Sequence, residues 1–148
     1  MKVEQILYGS RMYQQTLKLR ERVLRIPLGL KLSAQDIENE DKQRHFVVLD
    51  DEELMACVVY KFNSSTEAIL RQFAVDERFQ GQGVGHYLLD ESEHQLADEG
   101  IASITMSARK TAVGFYERHG YTCKGDFYIQ HGIEHITMSK YLDPKRLN

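Results

Sequence analysis

The spacing of apolar residues changes several times along the chain, and each change marks an element. Val3 to Tyr8 reads as a short strand. From Ser10 to about Leu24, the positions Met12, Tyr13, Leu17, Leu19, Val23 and Leu24 trace one broad helical face. Between Ile26 and Arg44 the period is lost. The chain passes through Pro27 and Gly29 into Asp36-Ile37-Glu38-Asn39-Glu40-Asp41, a short helix or loop. Three strands follow. Phe46 to Leu49 and Leu54 to Phe62 flank Asp50-Asp51-Glu52-Glu53, which predicts a tight hairpin turn, and Asn63-Ser64-Ser65-Thr66 leads into Ala68 to Val75.

The second half alternates differently. After a glycine-rich turn, Val84, Leu88, Leu89, Ser92 and Leu96 share one helical face, and Gly100 ends that helix. Ile101 to Ala108 is a strand and Thr111 to His119 a short helix stopped by Gly120. Tyr121 to Ile129 and Ile133 to Leu142 are strands joined at Gln130-His131-Gly132. The order β-α-(α)-β-β-β-α-β-α-β-β predicts an α+β (mixed α/β) fold, with a mostly antiparallel sheet of about seven strands and flanking helices. It is not a doubly wound order. Residues 1–148 are expected to form a single domain, with Pro27 and Pro144 as local breaks only.

Composition narrows the function classes. Hydrophobic residues at 42% and charged residues at 28% fit a globular chain rather than a disordered one. A net charge of -3, with no block of Lys and Arg, gives no electrostatic support for a nucleic-acid surface. No apolar run approaches membrane-spanning length, and the N-terminus lacks the apolar core of a signal peptide. Cys57 and Cys123 are far apart in apolar runs, and the six histidines are scattered, so no metal site is expected. The cysteines read as two buried, reduced thiols of a cytoplasmic protein.

The chemistry starts at Gln80-Gly81-Gln82-Gly83-Val84-Gly85, between a strand and a helix. Glycines let the backbone approach a bulky phosphate, and the unpaired N–H groups of the first helical turn point at it. That reading implies a phosphate-like ligand; a plain turn easing strand into helix fits equally. A Walker A loop would need Gly-Lys-Ser/Thr, and Val84, Gly85, His86 and Tyr87 offer neither. A dinucleotide fingerprint would need G-x-G-x-x-G, whereas Gly81, Gly83 and Gly85 are spaced G-x-G-x-G. Arg109, at the end of the next strand, leaves an NADP phosphate open.

The run from Val75 through Gly85, with Leu88-Leu89 beyond it, resembles the coenzyme A motif of the GNAT acetyltransferases, Arg/Gln-x-x-Gly-x-Gly/Ala, at Gln80, Gly83 and Gly85. Some thirty residues on, Ala112-Val113-Gly114-Phe115-Tyr116-Glu117-Arg118-His119-Gly120-Tyr121 resembles that family's second signature. Met138-Ser139-Lys140-Tyr141-Leu142 resembles its closing strand. The resemblance covers roughly residues 45–142. It implies that the strand before the glycine loop and the strand at 101–108 splay around acetyl-CoA. Main-chain groups of Phe73, Ala74 and Val75 would then bind the pantetheine and polarise the thioester carbonyl. Gln80, Gly81, Gln82, Gly83, Val84 and Gly85 would take the pyrophosphate. An amine would attack the thioester directly in a ternary complex, and Tyr116 would protonate the leaving thiolate. Packing alone is the other reading of Tyr116.

Several positions depart from the pattern. The family usually has Asn three residues before the alanine of the second signature; here that residue is Arg109, placed with the cofactor-binding residues as a phosphate ligand. A substrate carboxylate or plain solvent is its alternative partner. Where some members carry a glutamate base, this chain has Ile69 or Leu70, so the base is unassigned. His135 is the candidate, on one strand face with Thr137 and Ser139, and a plain strand histidine is the alternative. His119 reads as complementing a helix dipole, and His86, His94 and His131 as exposed positions. The four carboxylates of the stretch 36–41 suggest either a cationic acceptor or a solvated acidic loop. The expected enzyme acetylates a small-molecule or peptide amine as a monomer or homodimer. A non-catalytic acyl-CoA-binding module is the alternative, and a small NADP-binding oxidoreductase a more distant one.

Overall fold

Seven strands in the order β1-β2-β3-β4-β5-β7-β6 form one open sheet in a computed structural model, which describes residues 1–142. Pro144 lies outside the described residues. The elements are β1 (Lys2–Ile6), α1 (Arg11–Arg20), β2 (Arg44–Asp50), β3 (Glu53–Phe62), β4 (Glu67–Val75), α2 (Val84–Asp98), β5 (Ser103–Arg109), α3 (Val113–Arg118), β6 (Thr122–Gln130) and β7 (Ile133–Tyr141). Every neighbouring pair is antiparallel except β4 and β5.

Both faces of the central strands are covered, and alternation decides which side chain goes where. Phe46, Val48, Ala56, Val58 and Tyr60 pack against Val84, Leu88, Leu89 and Leu96 of α2. Val47, Leu49, Leu54, Cys57 and Ala74 point the other way, to Leu19 of α1. Ser10 caps α1 by accepting a hydrogen bond from Tyr13 N at 3.1 Å. The single helix expected over residues 10–24 instead ends in a wider π turn, Glu21–Arg25, which carries Arg25 round to a buried position. Pro27 and the left-handed Gly29 stop it there.

One strand lies outside this double cover. Strand β6 is the sheet edge and is exposed along its whole length. Cys123 is therefore exposed, contrary to the expectation of two buried thiols, whereas Cys57 is buried and its thiol is pushed up to about 12 by burial. The turn at His131-Gly132, with φ of 53° and 78°, is of the kind that matches hairpin twist.

The sheet is incomplete at its middle. Strand β4 pairs with β5 over three rungs only, Glu67↔Ser103, Ala68↔Ile104 and Ile69↔Thr105. Beyond them the facing edges of the two strands diverge, while β5 stays paired with β7 as far as Arg109↔His135. A bulge bends β4 at the same place: Val58 alone opposes Gln72 and Phe73, and Gln72 has φ of 49°.

Candidate active site

The divergence of β4 from β5 opens a cleft of about 1330 Å³. Its floor is the free edge of β4, from Leu70 to Val75, and the end of β5. The glycine loop and the start of α2 close one end. The loop is held by its own side chains. Gln80 Nε2 donates to Val75 O at 3.0 Å, and Gln82 Nε2 donates to Arg78 O at 3.1 Å. Gly83, at φ 83°, takes the N-cap position that a side chain would otherwise fill. The first intrahelical bond is Tyr87 N to Gly83 O at 3.0 Å, so the amides preceding Tyr87 in the helix have no carbonyl to meet. They form a site for an anion, with the helix dipole adding to it. A Cβ on Gly85 would lie 3.0 Å from Phe73 and 3.1 Å from Phe115, so any side chain there must push these two rings aside.

Those rings carry Tyr116 with them. Phe73 and Phe115 are stacked at 5.6 Å, and Tyr116 packs edge-on to Tyr121 at 5.7 Å. Tyr116 is 7% exposed and lines the cleft. Burial raises its pKa well above the ordinary phenol value, against the pull of Arg109, so it stays protonated at neutral pH.

Across the sheet, toward α1, a second group of side chains lines the same cleft. Arg109 and His135 stand directly opposite one another on β5 and β7. His135 is buried, and its Nδ1 lies 3.0 Å from the Ile133 carbonyl. A carbonyl only accepts, so Nδ1 carries a proton, and in the neutral ring the lone pair is on Nε2. The ring stacks on Tyr128 at 6.2 Å. Arg109 donates to Leu24 O, as does Arg25 Nη1 at 3.2 Å. Arg25 also grips Asp36 through Nε at 3.2 Å and Nη2 at 2.9 Å. Burial opposes ionisation of Asp36, but the hydrogen bonds from Arg25 and Ser33 hold its carboxyl down at about 2.

The acidic stretch is divided between paired and exposed carboxylates. Asp36 is taken up by Arg25. Glu40 is fully buried and accepts hydrogen bonds from Tyr13 Oη at 2.7 Å, Arg20 Nη1 at 2.9 Å and Arg71 Nη1 at 3.0 Å. Arg20 in turn reaches Gln72 at the bulge. Only Glu38 and Asp41 of the four carboxylates are exposed.

Two histidine expectations also change. His119 is the C-cap of α3, as expected at a helix C-terminus, but it lies in the interior rather than at the surface. Its ring is buried, with Nε2 3.4 Å from Glu93 Oε2, and the fully buried Glu93 also accepts from Tyr121 Oη at 2.8 Å and Lys140 Nζ at 2.7 Å. His86 is half-buried, stacked on Phe115 at 4.3 Å and 2.9 Å from His119 through the two Nδ1 atoms.

Phe73, Ala74, Val75, Gln80, Gly81, Gly83, Val84, Gly85, Arg109, Tyr116 and His135 all line this one cleft, whereas Gln82 is turned to the Arg78 carbonyl. Sequence reasoning missed Arg20, Arg25 and Gln72, and the burial of Glu40. A signal existed for Arg20: with Tyr13 and Thr16 it lies on the buried stripe of α1, where a charge demands a partner.

The comparisons with known proteins agree with this geometry. YjcF, an uncharacterized N-acetyltransferase of Bacillus subtilis, is 28% identical over 104 residues, which are 70% of this chain and 74% of that protein. The crystal structure of Escherichia coli ElaA superposes with a TM-score of 0.80 at 20% identity, covering 95% of this chain and 99% of that one. A GNAT family acetyltransferase from Elizabethkingia anophelis, solved with acetyl-CoA bound, gives 0.72 at 17% identity, covering 95% and 97%. Residues 30–142 match the family model of the acetyltransferase (GNAT) domain, a stretch that contains the open sheet from β2 to β7, the glycine loop and Tyr116. With the sequence match and the split sheet in agreement, the chain belongs to the GNAT acetyltransferases.

Proposed function

We propose that the protein transfers the acetyl group of acetyl-CoA to a primary amine by direct attack in a ternary complex. The observation that carries this reading is that the unpaired edge of β4, the start of α2 and Tyr116 all line one cleft. The residues present fit acetyl-CoA. A left-handed glycine gives the loop room for a pyrophosphate, and a strand edge without a partner suits the amides of a pantetheine arm. When bound, the thioester supplies an activated acetyl group. Main-chain groups of residues 73–75 hold its carbonyl, and Tyr116, kept protonated by burial, gives its proton to the departing thiolate. His135 Nε2, the free lone pair on the other face of the sheet, takes a proton from the incoming ammonium group.

Two measurements test the reading. Titration calorimetry with acetyl-CoA is expected to show one site per chain, and thiol release from acetyl-CoA is expected with at least one class of primary amine. Binding without thiol release from any amine would make the domain a non-catalytic acyl-CoA receptor.

A further inference from the structure

The lining of the cleft carries an unbalanced charge. Among the described residues that line the cleft, Arg25, Lys31, Lys61, Arg71, Arg109 and Arg118 are basic and Asp36 is the only acid. Partners account for two of the three arginines nearest α1. Arg71 is met by Glu40 and Gln43, and Arg25 by both oxygens of Asp36. Arg109 has only the neutral Leu24 carbonyl, which it shares with Arg25.

The groups around Arg109 are uncharged or basic. His135 faces it from β7 and His131 from the β6–β7 turn, where Arg25 Nη2 lies 3.4 Å from His131 Nε2. Tyr116 and Ser107 line the same cleft. Glu134, the nearest acid along β7, is exposed and pairs with Lys110 at 3.5 Å. Burial and the repulsion of Arg25 both act against the charge on Arg109. A half-buried guanidinium without a counter-ion is costly unless a ligand completes it, and its planar fork suits a carboxylate or phosphate. A field of this sign also disfavours a plain cationic amine.

We propose that the acceptor is a primary amine that also bears an oxyanion, carboxylate or phosphate, and that Arg109, with Arg25 beside it, docks that oxyanion on the α1 side of the split. This rests on the acetyl-transfer reading above. The oxyanion fixes the amine near His135, and the zwitterion brings no net positive charge into a basic cleft.

The test uses amines in pairs that differ only in the anionic group. Free amino acids are compared with their carboxamides, O-phosphoethanolamine with ethanolamine, and putrescine serves as the cationic arm; thiol release from acetyl-CoA is the readout. The acid of one pair is expected to exceed its neutral partner by about tenfold or more in kcat/KM, as a charge-assisted hydrogen bond implies. The pair that shows the preference separates carboxylate from phosphate. In Arg109→Gln that ratio is expected to collapse toward one, and Arg109→Lys is expected to keep part of it, with circular dichroism confirming the fold of both. Turnover with no preference for the acid, a preference for putrescine, or an unchanged ratio in folded Arg109→Gln overturns this proposal and leaves acetyl transfer standing. Acetyl-CoA binding without thiol release from any amine overturns both.

Discussion

Arg20 Nε donates a hydrogen bond to Gln72 Oε1 at 2.9 Å, joining the last residue of α1 to the bulge that turns β4 away from β5. The same guanidinium is clamped by Glu40, and Glu40 by Tyr13 and Arg71, so a buried polar chain fixes the residue whose backbone shapes the cleft. Removing Arg20 takes from the buried Glu40 its bidentate partner and leaves it Tyr13 and Arg71.

Arg20→Met is expected to destabilise the fold by about 3–5 kcal/mol, because Glu40 loses its main counter-ion while remaining buried. Gln72→Leu, which orphans a single donor, should cost about 1–3 kcal/mol and weaken acetyl-CoA binding by loosening the bulge. Urea unfolding and calorimetry give both values. A Gln72→Leu protein with unchanged stability and affinity would separate the bulge from the polar chain.

The same cluster sets an acid limit. Burial alone would raise the Glu40 carboxyl, but the Arg20, Tyr13 and Arg71 contacts hold it below its ordinary 4.5. The unfolded chain therefore takes up the proton first. The stabilisation is complete above pH 4.5 and is lost as pH falls through the lower, folded value. Unfolding free energy from pH 7 to pH 3 should fall more steeply in the wild type than in Glu40→Gln, which starts lower. Parallel slopes would show that other carboxylates govern acid unfolding.

At the loop, Gly85→Val is expected to abolish acetyl-CoA binding by driving Phe73 and Phe115 apart. Gly83→Ala meets no neighbour but must hold a left-handed φ of 83°, at a cost of roughly 1–2 kcal/mol in loop order. Calorimetry should rank the affinities as wild type, then Gly83→Ala, then Gly85→Val. An unchanged affinity in folded Gly85→Val would place the pyrophosphate elsewhere.

Tyr116→Phe keeps the aromatic packing and deletes the hydroxyl. The turnover number should fall roughly 10²–10⁴-fold, with the acetyl-CoA Michaelis constant little changed. A full rate across several pH values would assign the proton to water and leave Tyr116 a packing residue.

Glu38→Gln combined with Asp41→Asn is expected to leave the amine Michaelis constant within about twofold even at low salt, because exposed, solvated charges act weakly at a distance. A severalfold rise confined to low ionic strength would restore these carboxylates as an attraction for cations.

The elements of this chain were legible where their causes are local. Glycines at 81, 83 and 85 and the apolar stripe of α2 announced strand, loop and helix within a few residues, whereas Tyr116 was singled out only by the resemblance of residues 112–121 to the family's second signature. What distance decides was hidden. A carboxylate looks the same in sequence whether it is solvated like Glu38 or sealed against three donors like Glu40. Nothing within β6 or β7 states that β7 takes the inner place beside β5. That choice left Cys123 on an outer edge and put His135 opposite Arg109.

The three rungs between β4 and β5 have a consequence for cohesion. Everything from β1 to β4 comes from the chain up to Val75, and everything from β5 to β7 from Ser103 onward, so the gap lies along the molecule's own midline. An extended ligand laid there acts as a suture, supplying backbone-like partners to lips that otherwise face solvent. On the acetyl-transfer reading proposed above, acetyl-CoA would be a structural strut as well as a reactant. Filling the gap should slow amide hydrogen exchange on both lips together and raise the melting temperature by mass action, and product release should reopen the weakest boundary of the fold.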